Sequence, residues 1–367
     1  MNGARRAVGL VLAAVLLVGV VAAVVVSRRG SGAGDGSGDL TVLRGIAGSE
    51  KKPFFDDPAV AKALAEAGYR VEVDYAGSRD IVAEVKKDPK AYDFAFPSGA
   101  PQGDRIAQDT RGRSYVPFFS PMAIGTFRDL ADLLVANNLA KKISDRYYQL
   151  DMAKYLDLVE QNRRWSQLDR NTVFSTDKSV LISSTDLRTS NSAAMYLALL
   201  SYVANKNDIV ADPTTAETIA GQLAPAFTKQ GYTESSSEGP FEDYLRGGMG
   251  ARPMVMIYEA QFLAAQAAKT TTPDMVLMYP SPTAYSKHTL VGLSAGGQAL
   301  GELLTGNATL LKLAAHHGFR TDDRSYVSDF ARENGIPEPP ELVDVVDPPT
   351  YELMEKMITD IAGPAGS

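Results

Sequence analysis

The sequence contains no cysteine. That excludes disulfides, thiolate metal ligands, cysteine nucleophiles and a lipid-modified N-terminal cysteine, and it leaves the redox compartment open. Histidine is nearly absent too: His288, His316 and His317 are the only three. Two are adjacent and all lie toward the C-terminus, so they offer no metal-ligand spacing and read as residues at or near a helix end. A basic excess is also missing. Lys and Arg number 37 against 44 Asp and Glu, a net charge of −7, so the basic stripe a nucleic-acid surface needs is not there. No Walker phosphate loop and no nucleophile elbow occurs. Asp93, Asp186 and Glu259 are available carboxylates, yet none stands in a motif with a base or a metal ligand. The expectation is a non-enzymatic protein without a cofactor or metal.

What is present begins with an apolar run. Ala7 to Val26 is rich in Val, Leu and Ala and carries no charge. At ~1.5 Å per residue it is long enough for a hydrocarbon core of ~30 Å. It exceeds the usual signal-peptide core, and no clean small-x-small cleavage site follows it, which favours an uncleaved signal anchor over a cleaved signal peptide. Arg5 and Arg6 precede the run and Arg28 and Arg29 follow it, so the flanking charge is nearly balanced. The free amino terminus tips it toward an N-inside orientation. A flexible Gly/Ser linker occupies residues 30–39. The expected location is the cell membrane, crossed once, with the folded part extracytoplasmic.

The chain of 367 residues exceeds the size at which one core usually stops growing, so two lobes are expected. Leu40–Ile46 and Arg70–Tyr75 read as strands, as does Tyr92–Phe96. Between them come helical patterns over Asp57–Ala67 and Asp80–Lys87, the first opened by Asp57-Pro58 and stopped by Gly68. This βαβαβ rhythm predicts a parallel sheet with crossover helices. Ligands of such sheets sit beyond the carboxyl ends of the strands, at helix N-termini. Gly48-Ser49, Gly77-Ser78 and Ser98-Gly99 fall at those positions. Each alone reads as helix-capping chemistry; together they point to a site for an anion or a polar solute. Further on, Ser114–Phe127 reads as a strand interrupted by Pro117 and Pro121, which suits a crossing between lobes. A helical stretch is expected over Phe127–Trp165, a strand over Val180–Ile182, and a flexible turn over Arg246–Gly250. Arg188, Thr189, Ser190 and Asn191 crowd a second polar loop ahead of a long helix from Ser192. Strands at Pro253–Tyr258, Met275–Tyr279 and Thr289–Leu293, helices from Gly296 to His317, a Pro-rich acidic stretch and a helix over Tyr351–Ile361 complete the reading.

Several of these segments resemble, in order, the type 2 periplasmic solute-binding proteins of the molybdate- and sulfate-binding kind. LTVLRGIAGS (Leu40–Ser49) is similar to the first strand and ligand loop of that family, VEVDYAGSRDI (Val71–Ile81) to the second, YDFAFPS (Tyr92–Ser98) to the third strand, and TDLRTSNSAAMYLAL (Thr185–Leu199) to a helix start in the second lobe. The resemblance implies an α/β Venus-flytrap of two lobes closing over a ligand. Residues 40–118 and 281–345 would form a discontinuous first lobe, residues 119–280 the second, and residues 346–367 a C-terminal helix and tail. The crossings would lie near Pro117–Ser120 and Tyr279–Pro282. By position, Ser49, Ser78, Ser98, Ser120, Ser190 and Tyr258 would touch ligand, with Arg79 and Arg188 neutralising an anion and Thr189, Asn191 and Glu259 beside them. The chain departs from the pattern at Arg79, and at Glu50 and Lys51, where the family favours small or apolar residues. The function implied is capture of a small polar or anionic solute for the permease of an ABC-type transporter. The alternative is an envelope sensor or interaction protein on the same fold, motivated by the missing lipid anchor and the acidic tail.

Overall fold

A computed structural model describes residues 40–230 and 234–363. The apolar run and its linker lie outside the described residues. Contacts divide the chain into Met1–Leu40 and Thr41–Ser367, and every described strand and helix belongs to the second unit. Among the described residues no helix is long and apolar enough to cross a membrane.

The fold is mixed α/β. Nine strands run in the order β2-β1-β3-β9-β4-β8-β6-β5, with β7 also on β4. They are β1 Thr41–Gly48, β2 Tyr69–Ala76, β3 Phe94–Phe96, β4 Arg113–Phe127, β5 Ala140–Lys142, β6 Tyr147–Asp151, β7 Met254–Tyr258, β8 Met275–Ser281 and β9 Tyr285–Gly292. The expected βαβαβ unit is present: β1 pairs in parallel with both β2 and β3. Its helices span Pro58–Glu66 and Ser78–Lys87. Asp57 caps the first, its carboxylate accepting from the Ala59 N–H at 2.8 Å, and Gly68 takes φ +89° just past its end.

Side-chain alternation along these strands builds two small cores, one on each face. Leu43, Phe94 and Leu290 point to Phe54, Leu304 and Phe319. Their neighbours Ile46, Ala95 and Val291 point to Ile81, Val85 and Ile106. A separate and larger core gathers Met122 to Leu134, the helix Asn191–Ala204, and strands β7 and β8.

The strand β4 joins the two regions. Its residues Arg113–Pro121 pair with β9, and Met122–Phe127 pair with β7 and β8. The expectation of a strand broken by its prolines is corrected: β4 is continuous over 15 residues. Pro117 falls at a register shift between Tyr115 and Phe118, and Pro121 at the change of partner, where a missing N–H costs least. Three other expectations change. Residues 127–165 are not one helical stretch, because β5 and β6 form a hairpin between helices Arg128–Ala136 and Met152–Glu160. Val180–Ile182 is not a strand; isolated bridges flank it, Ser179 to Arg164 and Ser183 to Val255, and Val180 N–H donates to Arg163 O at 2.8 Å. Arg246–Gly250 lies inside the helix Glu238–Ala251, which is interrupted at Gly248 with φ +64°.

The acidic Pro-rich stretch is extended and tied to the junction of β8 and β9. Thr283 N–H donates to Asp344 O, and Val346 N–H donates to Thr283 O, both at 2.8 Å. The C-terminal helix, Tyr351–Ala362, buries Leu353, Met354, Met357 and Ile358 in the larger core.

Candidate functional site

The parallel register brings three loops to one place. Gly48 pairs with Ala76 and Ala47 with Phe96, so β1, β2 and β3 end nearly level. Ser49, Glu50, Gly77, Ser78 and Ser98 follow those ends. From the larger-core region, Ser190 and Asn191 open the helix Asn191–Ala204, and Tyr258 ends β7. Together with Ser235–Ser237, these residues line one small seat of about 20 Å³, room for about one water-sized sphere.

The seat is held by a hydrogen-bonded network. Ser98 N–H donates to Ser78 Oγ at 3.0 Å, and Ser78 Oγ lies 3.2 Å from Ser98 Oγ. The Ser98 hydroxyl donates to the Glu50 carboxylate. Lys51 Nζ donates to the same carboxylate, reaches Ser98 Oγ at 3.3 Å, and lies 4.8 Å above the Phe96 ring. The Lys51 residue is 0% exposed. Burial alone would raise the Glu50 carboxyl, but Lys51 and His288 outweigh it and hold it well below the usual carboxylate range. Burial pulls the Lys51 ammonium down, opposed by Glu50. His288 Nδ1 stands 3.4 Å from Glu50 Oε1. Burial first and Lys51 second push that imidazole down to about 4, so it is neutral at pH 7. The Ser98 hydroxyl is directed at a carboxylate that Lys51 and His288 keep ionised, and so strongly acidic a carboxyl is a weak base toward that proton.

Close backbone approach completes the contact between the two regions. A Cβ on Gly77 would fall 2.6 Å from Thr189 O, and one on Gly99 would fall 2.4 Å from Asn191 Oδ1. Glycine is therefore required at Gly77, where the obstacle is backbone, and at Gly99 a side chain would displace the Asn191 amide. Asn191 Nδ2 donates to Tyr258 Oη and Ser286 Oγ at 3.1 Å each.

The structure gathers Ser49, Ser78, Ser98, Ser190, Asn191 and Tyr258 at the seat. It does not bring the rest there. Arg79 donates to Leu187 O at 3.1 Å and pairs with Glu355 of the C-terminal helix. Arg188 pairs with Asp186 at 2.7 Å within its own loop, and Thr189 meets Gly77 through its carbonyl. Ser120 accepts from Ala260 N–H at 3.1 Å and so caps the helix Glu259–Ala267. Glu259 is 0% exposed and pairs bidentately with Arg320 at 2.7 Å. Sequence reasoning treats Glu50 and Lys51 only as departures and passes over Ser235–Ser237 and Ser286; its reading of His288 as a residue at or near a helix end is corrected, because His288 is buried inside β9. The run of three serines just ahead of a helix is a usable signal; burial of an adjacent Glu-Lys pair leaves none. Among the described residues no group of His, Cys, Asp and Glu is placed to hold a metal ion.

No protein-family model and no curated protein matches the chain. Solved structures do. The sulfate-binding protein SubI from Mycobacterium tuberculosis is 18% identical, with a TM-score of 0.52 over 88% of this chain and 96% of that one. A periplasmic thiamin binding protein is 10% identical, with a TM-score of 0.58 over 90% of this chain and 100% of that one. Iron-bound HitA from Pseudomonas aeruginosa is 10% identical, with a TM-score of 0.53 over 88% and 97%. At these identities the likeness is one of fold: the chain has the mixed α/β architecture of two-lobed periplasmic binding proteins.

Proposed function

We propose that this chain is an extracytoplasmic solute-binding protein. It captures a small polar solute between two lobes and presents it to the permease of an ABC-type transporter. One observation carries the reading: five polar loops from two separately cored regions converge on one seat, joined by a strand that changes partners midway. Convergence of backbone amides and hydroxyls from opposite sides is what a hinged clamp needs. The first lobe would comprise residues 40–118 and 281–345, the second residues 119–280, and residues 346–367 a C-terminal appendage. The apolar run at Ala7–Val26 would anchor the clamp in the cell membrane with the clamp outside. The neighbours' names include sulfate, thiamin and iron, so they support a solute-binding role and do not choose the solute.

The test is a thermal-shift panel on the full chain in detergent, covering oxyanions, carboxylates, amino acids, sugars and amines. A ligand selective for the folded state raises the midpoint by mass action. The expected result is one chemical class that stabilises; a flat response across every class sinks the proposal.

A further inference from the structure

Resting on that solute-binding reading, we infer that the cleft takes an organic cation with an apolar body, rather than an oxyanion. Three observations lead there. First, the place for an anion is already taken. Glu50 receives Ser98 and Lys51 in the seat, and the arginines on the two flanking loops are engaged by Glu355 and Asp186. An incoming sulfate would meet a resident carboxylate and repulsion.

Second, a residue lining the seat holds a buried acceptor without a donor. Ser286 donates its hydroxyl to Ser98 O, so it accepts from Asn191 Nδ2, and this fixes the orientation of that amide. Asn191, 4% exposed, is left with Oδ1 lacking a hydrogen-bond donor. Buried acceptors of this kind are costly unless a donor arrives. A ligand N–H near it supplies one, whereas a fully deprotonated oxyanion such as sulfate or molybdate cannot.

Third, the space for a ligand body lies next door. A cavity of about 450 Å³ shares Ser49, Glu50 and Ser237 with the seat. That is the size of a small-molecule pocket. Pro53, Phe241, Leu245 and Ala264 supply apolar surface, and Glu50, Asp56, Glu238 and Glu242 supply carboxylates. Among the described residues the one cation lining it, Lys52, is paired with Asp56, and Glu242 has an exposed partner in Arg246 at 3.3 Å. Counted with their partners Lys51, Lys52 and Arg246, the four carboxylates still leave one net negative charge, and apolar walls of that sign favour an ammonium- or amidinium-bearing solute.

The experiment titrates the full chain in detergent by calorimetry and by intrinsic-fluorescence melting. Probes are choline, benzyltrimethylammonium, phenethylamine and agmatine, set against sulfate, molybdate, phosphate, citrate, glucose and a set of amino acids. At least one ammonium or guanidinium probe is expected to bind. Its affinity should fall about tenfold or more in the Glu238→Gln/Glu242→Gln variant, whose two changes are isosteric and outside the core. Binding of an oxyanion or a sugar with silence from every cationic probe overturns the cation assignment and leaves the solute-binding reading standing. Silence from all classes overturns both. Cation binding that the double variant leaves intact overturns the placement of the ligand in this cavity.

Discussion

Glu259 is the sharpest place to separate a structural role from a ligand role. Position in the sequence puts it at the site; the structure buries it beneath the crossing strands. Its Oε1 accepts from Arg320 Nε and its Oε2 from Arg320 Nη2, each at 2.7 Å, and Tyr279 Oη donates to Oε2 at 2.5 Å. The Arg320 side chain is itself 7% exposed. Glu259→Gln keeps the shape and removes the charge, leaving a guanidinium buried without its counter-ion. Removing one member of such a pair costs about 3–5 kcal/mol. At ~2–4 °C per kcal/mol the midpoint should fall by roughly 6–20 °C. Thermal melting by far-UV circular dichroism reads this directly. A second variant isolates the pair: Glu259→Gln with Arg320→Met should be destabilised by much less than the two single changes added together. If Glu259→Gln melts with the parent protein and instead loses solute affinity, the buried-pair reasoning is wrong and the residue faces ligand.

Three further outcomes are expected. Glu50→Ser vacates the carboxylate position beside Lys51 and Ser98, so millimolar acetate or sulfate should raise the melting midpoint of the variant and not of the parent; equal response in both would show that Glu50 does not hold the anion position. His288 sits at about 4 when folded against an ordinary 6.5, so the unfolded chain takes up a proton that the folded one refuses. Stability should therefore fall as pH drops from 6.5 to 4, with no His288 contribution above that window. His288→Gln should flatten this part of the profile in urea titrations, and an unchanged slope would refute it. Deleting residues 350–367 uncovers the space filled by Leu353, Met354, Met357 and Ile358. At ~1.5–3 kcal/mol per buried side chain this is an upper estimate of about 6–12 kcal/mol, comparable to a whole domain's stability. The shortened chain should be rapidly proteolysed, and a protease-resistant product melting like the full chain would contradict that.

The parallel unit was legible because its signals are local. Asp57-Pro58 and Gly68 mark the two ends of a helix, and the alternation at Arg70–Tyr75 marks a half-buried strand. The loops Gly48-Ser49, Gly77-Ser78 and Ser98-Gly99 followed from strand ends alone. What escaped was set by tertiary context. The prolines of β4 read as breaks because nothing in the sequence shows that the strand changes partners at Pro121. The β5–β6 hairpin is only three and five residues long, and its surroundings are strongly helical. Arg79 and Arg188 read as anion ligands because their partners differ so much in distance: Asp186 is two positions away in the chain, but Glu355 is 276 positions distant. Lys51 beside Glu50 looks like an exposed charged turn until the fold places Phe96, Ser98 and His288 around it.

The C-terminal segment bears on how readily the two cored regions can separate. Its helix is rooted in the larger core through Met354, Met357 and Ile358. Yet Glu355 grips Arg79, and Glu352 grips Arg105 at 3.3 Å across the cleft. The strand-like stretch before it adds a third covalent passage beside β4 and the β8–β9 junction. Separating the two regions thus means either breaking both carboxylate grips or dragging four apolar side chains into water. The second route is the costlier, so on the proposed solute-binding reading the grips would act as a release catch, and the residence time of a captured solute would become sensitive to ionic strength even where the solute itself carries no charge.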